Sequence, residues 1–233
     1  MRDNANIRNL RRVARALGDM REQVVFVGGA VLALYATDPA APQARPTFDV
    51  DCVIRVTSRG EYRQVEKRLE DRGFQHDTSQ DVPLCRWLYG GLKVDVMPTD
   101  EDTLGFANRW HAAGTEHTVR HQIDDRTEIS ILPAPFFVAS KLEALHSRGG
   151  QDWRGEPDLE DVVFVLDNRP ELPSEVRDSA ECVLSYLTDQ FARLSQNPTT
   201  REYVASALPP AAGSARVEYI IGQMRQIADA GGA

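Results

Sequence analysis

Residues 48–56 read Phe-Asp-Val-Asp-Cys-Val-Ile-Arg-Val, and this alternation is the strongest constraint on the fold. In a strand, residues two apart point to the same face. Asp49 and Asp51 therefore share one face, and Val50 and Cys52 turn the other way into a core. Upstream, VVFVGG (24–29) reads as a short buried strand ending in Gly28-Gly29, followed by an apolar helical stretch at 30–36. Strand, glycine turn, helix and D-x-D strand make one unit. The segment 84–98, LCRWLYGGLKVDVMP, reads as two further strands joined by a hairpin turn at Gly90-Gly91.

The rest of the chain adds helices at both ends. Ile7, Leu10, Val13, Ala14 and Leu17 recur at helical spacing, with Arg8, Arg11, Arg12 and Arg15 largely between them. The arginines form either a solvated helix face or a phosphate-facing surface. Ser58 opens a capping box, and Tyr62, Val65 and Leu69 carry that helix to Gly73. TVRHQI and EISIL are two strands around a turn at Asp124-Asp125. Helices are expected at 135–149 and 158–168, and from Ser174 onward with breaks at Pro198 and Pro209-Pro210. The expected class is α+β: a small mixed sheet flanked by helices, then a helical C-terminal part. The expected division is a core with its N-terminal helix at 1–132 and a helical region at 133–233.

Composition narrows the function classes. The 233 residues carry 27 Lys+Arg against 35 Asp+Glu, a net charge of −8. Lys67, Lys93 and Lys141 are its only lysines. Residues 156–189 hold ten acids against two arginines, which accounts for the whole excess, while residues 1–21 are basic. The acid excess argues against a histone-like nucleic-acid coat and leaves room for a local basic groove. Cys52, Cys85 and Cys182 have no metal-ligand spacing and are odd in number, which argues against a disulfide-stapled secreted fold, so a reducing, cytoplasmic setting is expected. No apolar run is long enough to span a membrane.

Two carboxylates forced side by side repel unless a cation sits between them. Hard Mg²⁺ satisfies them with carboxylate oxygens, waters and substrate phosphates. Asp95, in LKVDVMP between two core-type valines, is expected on the opposite, wetter face of its strand. If its strand neighbours that of Asp49 and Asp51, three carboxylates can hold two ions, the arrangement used in phosphoryl or nucleotidyl transfer. Lys93 should share the face of Asp95. Gly28-Gly29 can hold phosphate on backbone N–H groups. Lys141 sits among Phe136, Phe137, Val138, Ala139 and Leu142; it is either a deliberate compact cation or the wet face of an amphipathic helix. Asp158 is either an N-terminal capping acid or a functional one, and Asp161, three residues on, lies on the same side of the helix. His117 and His121 read as surface histidines. Trp87, Trp110 and Trp153 read as core or rim, with base stacking as the alternative.

FVGGAVLALY, TFDVDCVI and LKVDVMP together resemble the DNA polymerase β nucleotidyltransferase superfamily. SKLEALHSRG followed by DLEDVVFVL is similar to the AbiEii/AbiGii-type nucleotidyltransferase toxins. The resemblance covers roughly residues 24–168. It implies a polymerase-β-type core whose C-terminal helices complete the active site, with Gly28 and Gly29 as the phosphate turn and Asp49, Asp51 and Asp95 as metal ligands. It further implies that Lys141 and Arg148 contact the nucleotide triphosphate, and that Asp158 or Asp161 orients the lysine or assists the acceptor hydroxyl. The implied cofactor is Mg²⁺, two ions, with Mn²⁺ as a substitute. The implied partners are an NTP, an RNA acceptor such as the tRNA 3′ end, and a cognate antitoxin protein. The same chemistry on an aminoglycoside-type antibiotic or a protein side chain is the alternative. A catalytically silent nucleotide-binding or antitoxin module is the alternative of another class. One departure from the toxin pattern is Gly28-Gly29-Ala30, which lacks the hydroxyl of the usual Gly-Ser turn.

Overall fold

The D-x-D strand lies inside a seven-stranded mixed sheet. A computed structural model describes residues 4–105, 107–147 and 152–232. The chain divides into two compact units: Met1–Leu34 with Gln43–Pro133, and Tyr35–Pro42 with Ala134–Ala233.

The first unit begins with α1 (Ala5–Leu17), which Asn4 caps by accepting from the Ile7 N–H at 2.9 Å. Its apolar stripe, Ile7, Leu10, Val13, Ala14 and Leu17, is buried, as the 3.6-residue period requires. β1 (Val24–Val27) follows, buried along its length. The stretch after Gly28-Gly29 is a 3₁₀ helix over Gly29–Leu34, not the extended helical stretch to residue 36 expected from the sequence. An apolar run this short, buried nearly all round, carries no pattern that separates the two helix types. β2 (Asp49–Ile54) and α2 (Arg59–Glu70) come next. Ser58 accepts from the Glu61 N–H at 3.3 Å, and the Glu61 carboxylate accepts from the Thr57 N–H at 2.7 Å, one residue earlier than in the standard box.

β3 (Gln75–His76), which periodicity does not show, precedes β4 (Arg86–Tyr89) and β5 (Leu92–Pro98). Gly90 and Gly91 turn between the last two with φ of 51° and 83°, the left-handed pair of a tight hairpin. Two short helices, α3 (Glu101–Leu104) and α4 (Arg109–Gly114), were also not visible in the pattern. β6 (Val119–Asp124) and β7 (Thr127–Ile131) complete a sheet of order β3-β4-β5-β2-β1-β7-β6. The pairs β2–β5 and β1–β7 are parallel and the rest antiparallel. Trp87 and Trp110 are buried, which excludes base stacking for both.

The second unit is helical: α5 (Ala134–Ser147), α6 (Pro157–Asn168), α7 (Leu172–Arg177), α8 (Glu181–Gln196), α9 (Thr200–Ala207) and α10 (Gly213–Ala228). α5 is buried on most of its faces and packs on α6 and α8. Residues 35–42 belong here because the end of α6 holds them. The N–H groups of Thr37 and Asp38 donate to the Asn168 carbonyl at 2.9 and 3.1 Å, and Arg169 Nη1 donates to the Tyr35 carbonyl at 2.9 Å. The Tyr35 ring lies 4.4 Å from that of Phe137. Trp153 packs edge-on to His146 and against Tyr203. Among the described residues, no helix is long and apolar enough to cross a membrane.

Candidate functional site

Strand register brings the acids together. Asp51 lies opposite Asp95 across the parallel β2–β5 pair, and Asp49 lies opposite Lys93. One carboxylate oxygen from each of Asp49, Asp51 and Asp95 falls within 4.8 Å of the others. That spacing and donor set suit a hard divalent cation, which takes oxygen ligands from several carboxylates at once.

Asp95 is not on a wet face. Its residue is only 8% exposed, and the reason is a side chain that sequence reasoning did not single out. Arg86 faces Asp95 across the antiparallel β4–β5 pair. Arg86 Nε donates to Asp95 Oδ1 at 2.8 Å and Nη2 to Oδ2 at 2.7 Å, a two-pronged guanidinium–carboxylate pair. The same Nη2 stands 3.9 Å from Asp49 Oδ2. Hydrogen bonding to Asp95 raises the Arg86 pKa above its ordinary value despite burial, so the guanidinium stays charged. It offsets part of the like-charge repulsion among the three acids. A signal for it existed: a two-residue loop at Gly90-Gly91 pairs Tyr89 with Leu92 and, three residues on, Arg86 with Asp95.

The glycine turn has a steric purpose. Gly28 has φ +72°, and a Cβ there would overlap the Asp51 carboxylate. At Gly29 a Cβ would come 2.6 Å from Thr47 Cγ2 and 3.3 Å from Arg45 Nη2. Both glycines therefore admit neighbouring side chains that any larger residue would displace. Behind the acids, burial and the charges of Asp51 and Asp95 push the Cys52 thiol pKa well up, consistent with a small buried filler.

The second unit holds its own charged cluster. Asp158 and Asp161, three residues apart on α6, share a face. Lys141 Nζ on α5 lies 2.6 Å from Asp161 Oδ2 and 3.0 Å from Asp158 Oδ1. Lys141 is thus not on a wet face: its side chain is 11% exposed, against 7% for Asp158 and 0% for Asp161. Burial lowers the Lys141 pKa, and the charges of Asp161 and Asp158 more than offset this, leaving it raised and the ammonium charged. Asp158 stands in the first turn of α6, preceded by Glu156 as the N-cap, and its side chain goes to the lysine. Arg216 similarly holds the buried Asp167. Three of the ten acids at 156–189 are therefore inside the helical unit with cationic partners. Arg148 lies outside the described residues.

No protein-family model matches this chain. A comparison with curated proteins also finds no match.

Proposed function

We propose that this chain is a Mg²⁺-dependent nucleotidyltransferase of the AbiEii type, built on a polymerase-β-type core. It moves an NMP from an NTP to an acceptor hydroxyl, with RNA, and the tRNA 3′ end in particular, as the acceptor. The observation that carries this reading is the convergence of Asp49, Asp51 and Asp95, whose oxygens lie within 4.8 Å of one another on paired strands. Bound there, Mg²⁺ would draw charge from the phosphoryl oxygens and acidify the attacking hydroxyl. Asp49 and Asp51 would hold both ions from one strand face, and Asp95 would be a ligand of the ion that activates the acceptor hydroxyl. Gly28 leaves the room that Asp51 needs. By the family resemblance, Lys141 meets the triphosphate, with Asp158 and Asp161 keeping its ammonium charged and oriented. A toxin role and a cognate antitoxin follow from the same resemblance, and a cytoplasmic setting from the three cysteines.

The test is incubation with each labelled NTP, Mg²⁺ and total RNA. Label should enter RNA from one or two nucleotides and should disappear with Asp51→Ala and with Asp95→Ala. Transfer that survives both substitutions would sink the assignment. Label on an added aminoglycoside or on protein would move the acceptor to the alternative class.

Arg86 supports a second reading. A guanidinium that already neutralises Asp95 allows a module that binds nucleotide without turning it over. Calorimetric NTP binding with no labelled product from any acceptor would favour it.

A further inference from the structure

The arginines of α1 line an open hollow of about 360 Å³ formed by Arg8, Arg11, Arg12, Arg15, Ala16 and Tyr89. Spacings of three, four and seven residues put all four guanidinium groups on one stripe of the helix. Two parts of the sheet hold Arg11, Arg12 and Arg15 in place. Arg11 Nε and Arg15 Nη2 lie 2.7 and 3.0 Å from Asp124 Oδ2 at the β6–β7 turn. Arg12 Nη2 donates to the Gly90 carbonyl at 2.8 Å, and its guanidinium stands 5.8 Å from the Tyr89 ring centre. A Cβ at Gly90 would overlap Arg12, so the hairpin turn leaves space for this approach. The Tyr89 ring is itself stacked on Phe74 at 4.7 Å. Asp124 takes two of the four guanidinium groups, Arg11 and Arg15, and the residues lining the hollow carry four positive charges and no acid.

We propose that this hollow is a docking surface for the sugar-phosphate backbone of RNA. The inference deepens the function proposed above and rests on its RNA acceptor. Guanidinium forks match phosphate oxygens in pairs, and a chain so poor in lysine supplies four of them here. The Tyr89 ring, stacked on Phe74, carries the Arg12 guanidinium over it and so presents that fork towards a phosphate. A basic amphipathic helix could instead lie on an anionic membrane, but that needs an apolar face free to insert. The apolar face of α1 is already spent: Ile7, Leu10, Val13, Ala14 and Leu17 are at most 1% exposed.

The experiment measures fluorescence anisotropy of a labelled single-stranded RNA oligonucleotide from about 50 to about 200 mM salt. The protein carries Asp51→Asn so that no transfer occurs. Adding Arg8→Gln and Arg12→Gln should weaken binding about tenfold and lower the slope of log K against log salt by about 1.4, two contacts at about 0.7 each. Arg8→Lys with Arg12→Lys keeps the charge and should restore most of the slope, which separates lost contacts from lost folding. Asp124→Asn should tighten binding by removing the competing carboxylate. Unchanged affinity and slope in the glutamine variant would overturn the proposal, as would arginine-dependent binding to phosphatidylserine vesicles without RNA binding. If RNA binds through these arginines but label enters another acceptor, the RNA-transferase reading fails and the surface stands. If label enters RNA equally well without Arg8 and Arg12, the surface fails and the transferase stands.

Discussion

Arg86 and Asp95 face each other across neighbouring strands and share two hydrogen bonds, at 2.8 and 2.7 Å, within the acid cluster. The guanidinium supplies there the positive charge that a divalent ion would also supply. Arg86→Gln should therefore destabilise the metal-free protein by about 1.5–3 kcal/mol, the range for hydrogen bonds to charged groups. It should also enlarge the stabilisation by Mg²⁺, because the ion no longer competes with the guanidinium. Urea unfolding with and without Mg²⁺ measures both. A variant whose Mg²⁺ increment matches wild type would show that the pair and the ion site are independent.

Lys141 should matter to stability. Lys141→Met leaves Asp158 and Asp161 without their shared cation, Asp161 being fully buried. A loss of about 3–5 kcal/mol is expected, as for breaking a buried ion pair from one side. The Lys141 pKa is raised on folding above its ordinary 10.5. Its contribution should thus be fully present below about pH 10.5, the unfolded value, and lost as pH rises through the folded value. Comparing wild type with Lys141→Met in denaturant melts from neutral to strongly alkaline pH tests this. A difference that shrinks already near neutrality would contradict it.

Gly28→Ala should cost more than its backbone alone. Both Gly28 and Gly73 have positive φ, +72° and +83°, but only at Gly28 would a Cβ meet another side chain, that of Asp51. Gly73→Ala should lose about 1 kcal/mol from the φ constraint. Gly28→Ala should lose more and should weaken Mn²⁺ binding, read by water-proton relaxation. Equal losses with unaltered Mn²⁺ affinity would show that Asp51 accommodates the methyl group.

The cysteines should react unequally. Cys52 and Cys85 are buried and Cys182 is exposed. Burial, with the charge of Asp95 adding to it, pushes the Cys85 thiol up to about 12. At about pH 8 a thiol-disulfide reagent should therefore modify one thiol quickly and the other two only on unfolding. Two fast thiols in the native protein would place Cys85 or Cys52 in a part that opens readily.

Local physics was legible in the residues. The alternation at 48–56 put Asp49 and Asp51 on one face, Gly90-Gly91 marked a hairpin, Ser58 marked a helix start, and the α1 stripe marked a buried face. Each depends on neighbours a few positions away. The short elements β3, α3 and α4 were not legible, because two to six residues carry no resolvable period. The surroundings of Asp95 were not legible for a different reason. A charged residue between valines implies a wet face only if nothing opposite neutralises it, and Arg86 does.

The sequence by itself determined which residues alternate, turn and cap, since these follow from backbone geometry and side-chain shape within one segment. Tertiary structure alone decided that β5 pairs parallel with β2 so that Asp95 stands opposite Asp51. It also decided that residues 35–42 leave the first unit to pack with the second, and that Lys141 meets Asp158 and Asp161. Strand register and helix packing are set by burial summed over segments far apart in the chain, and no single segment contains that sum.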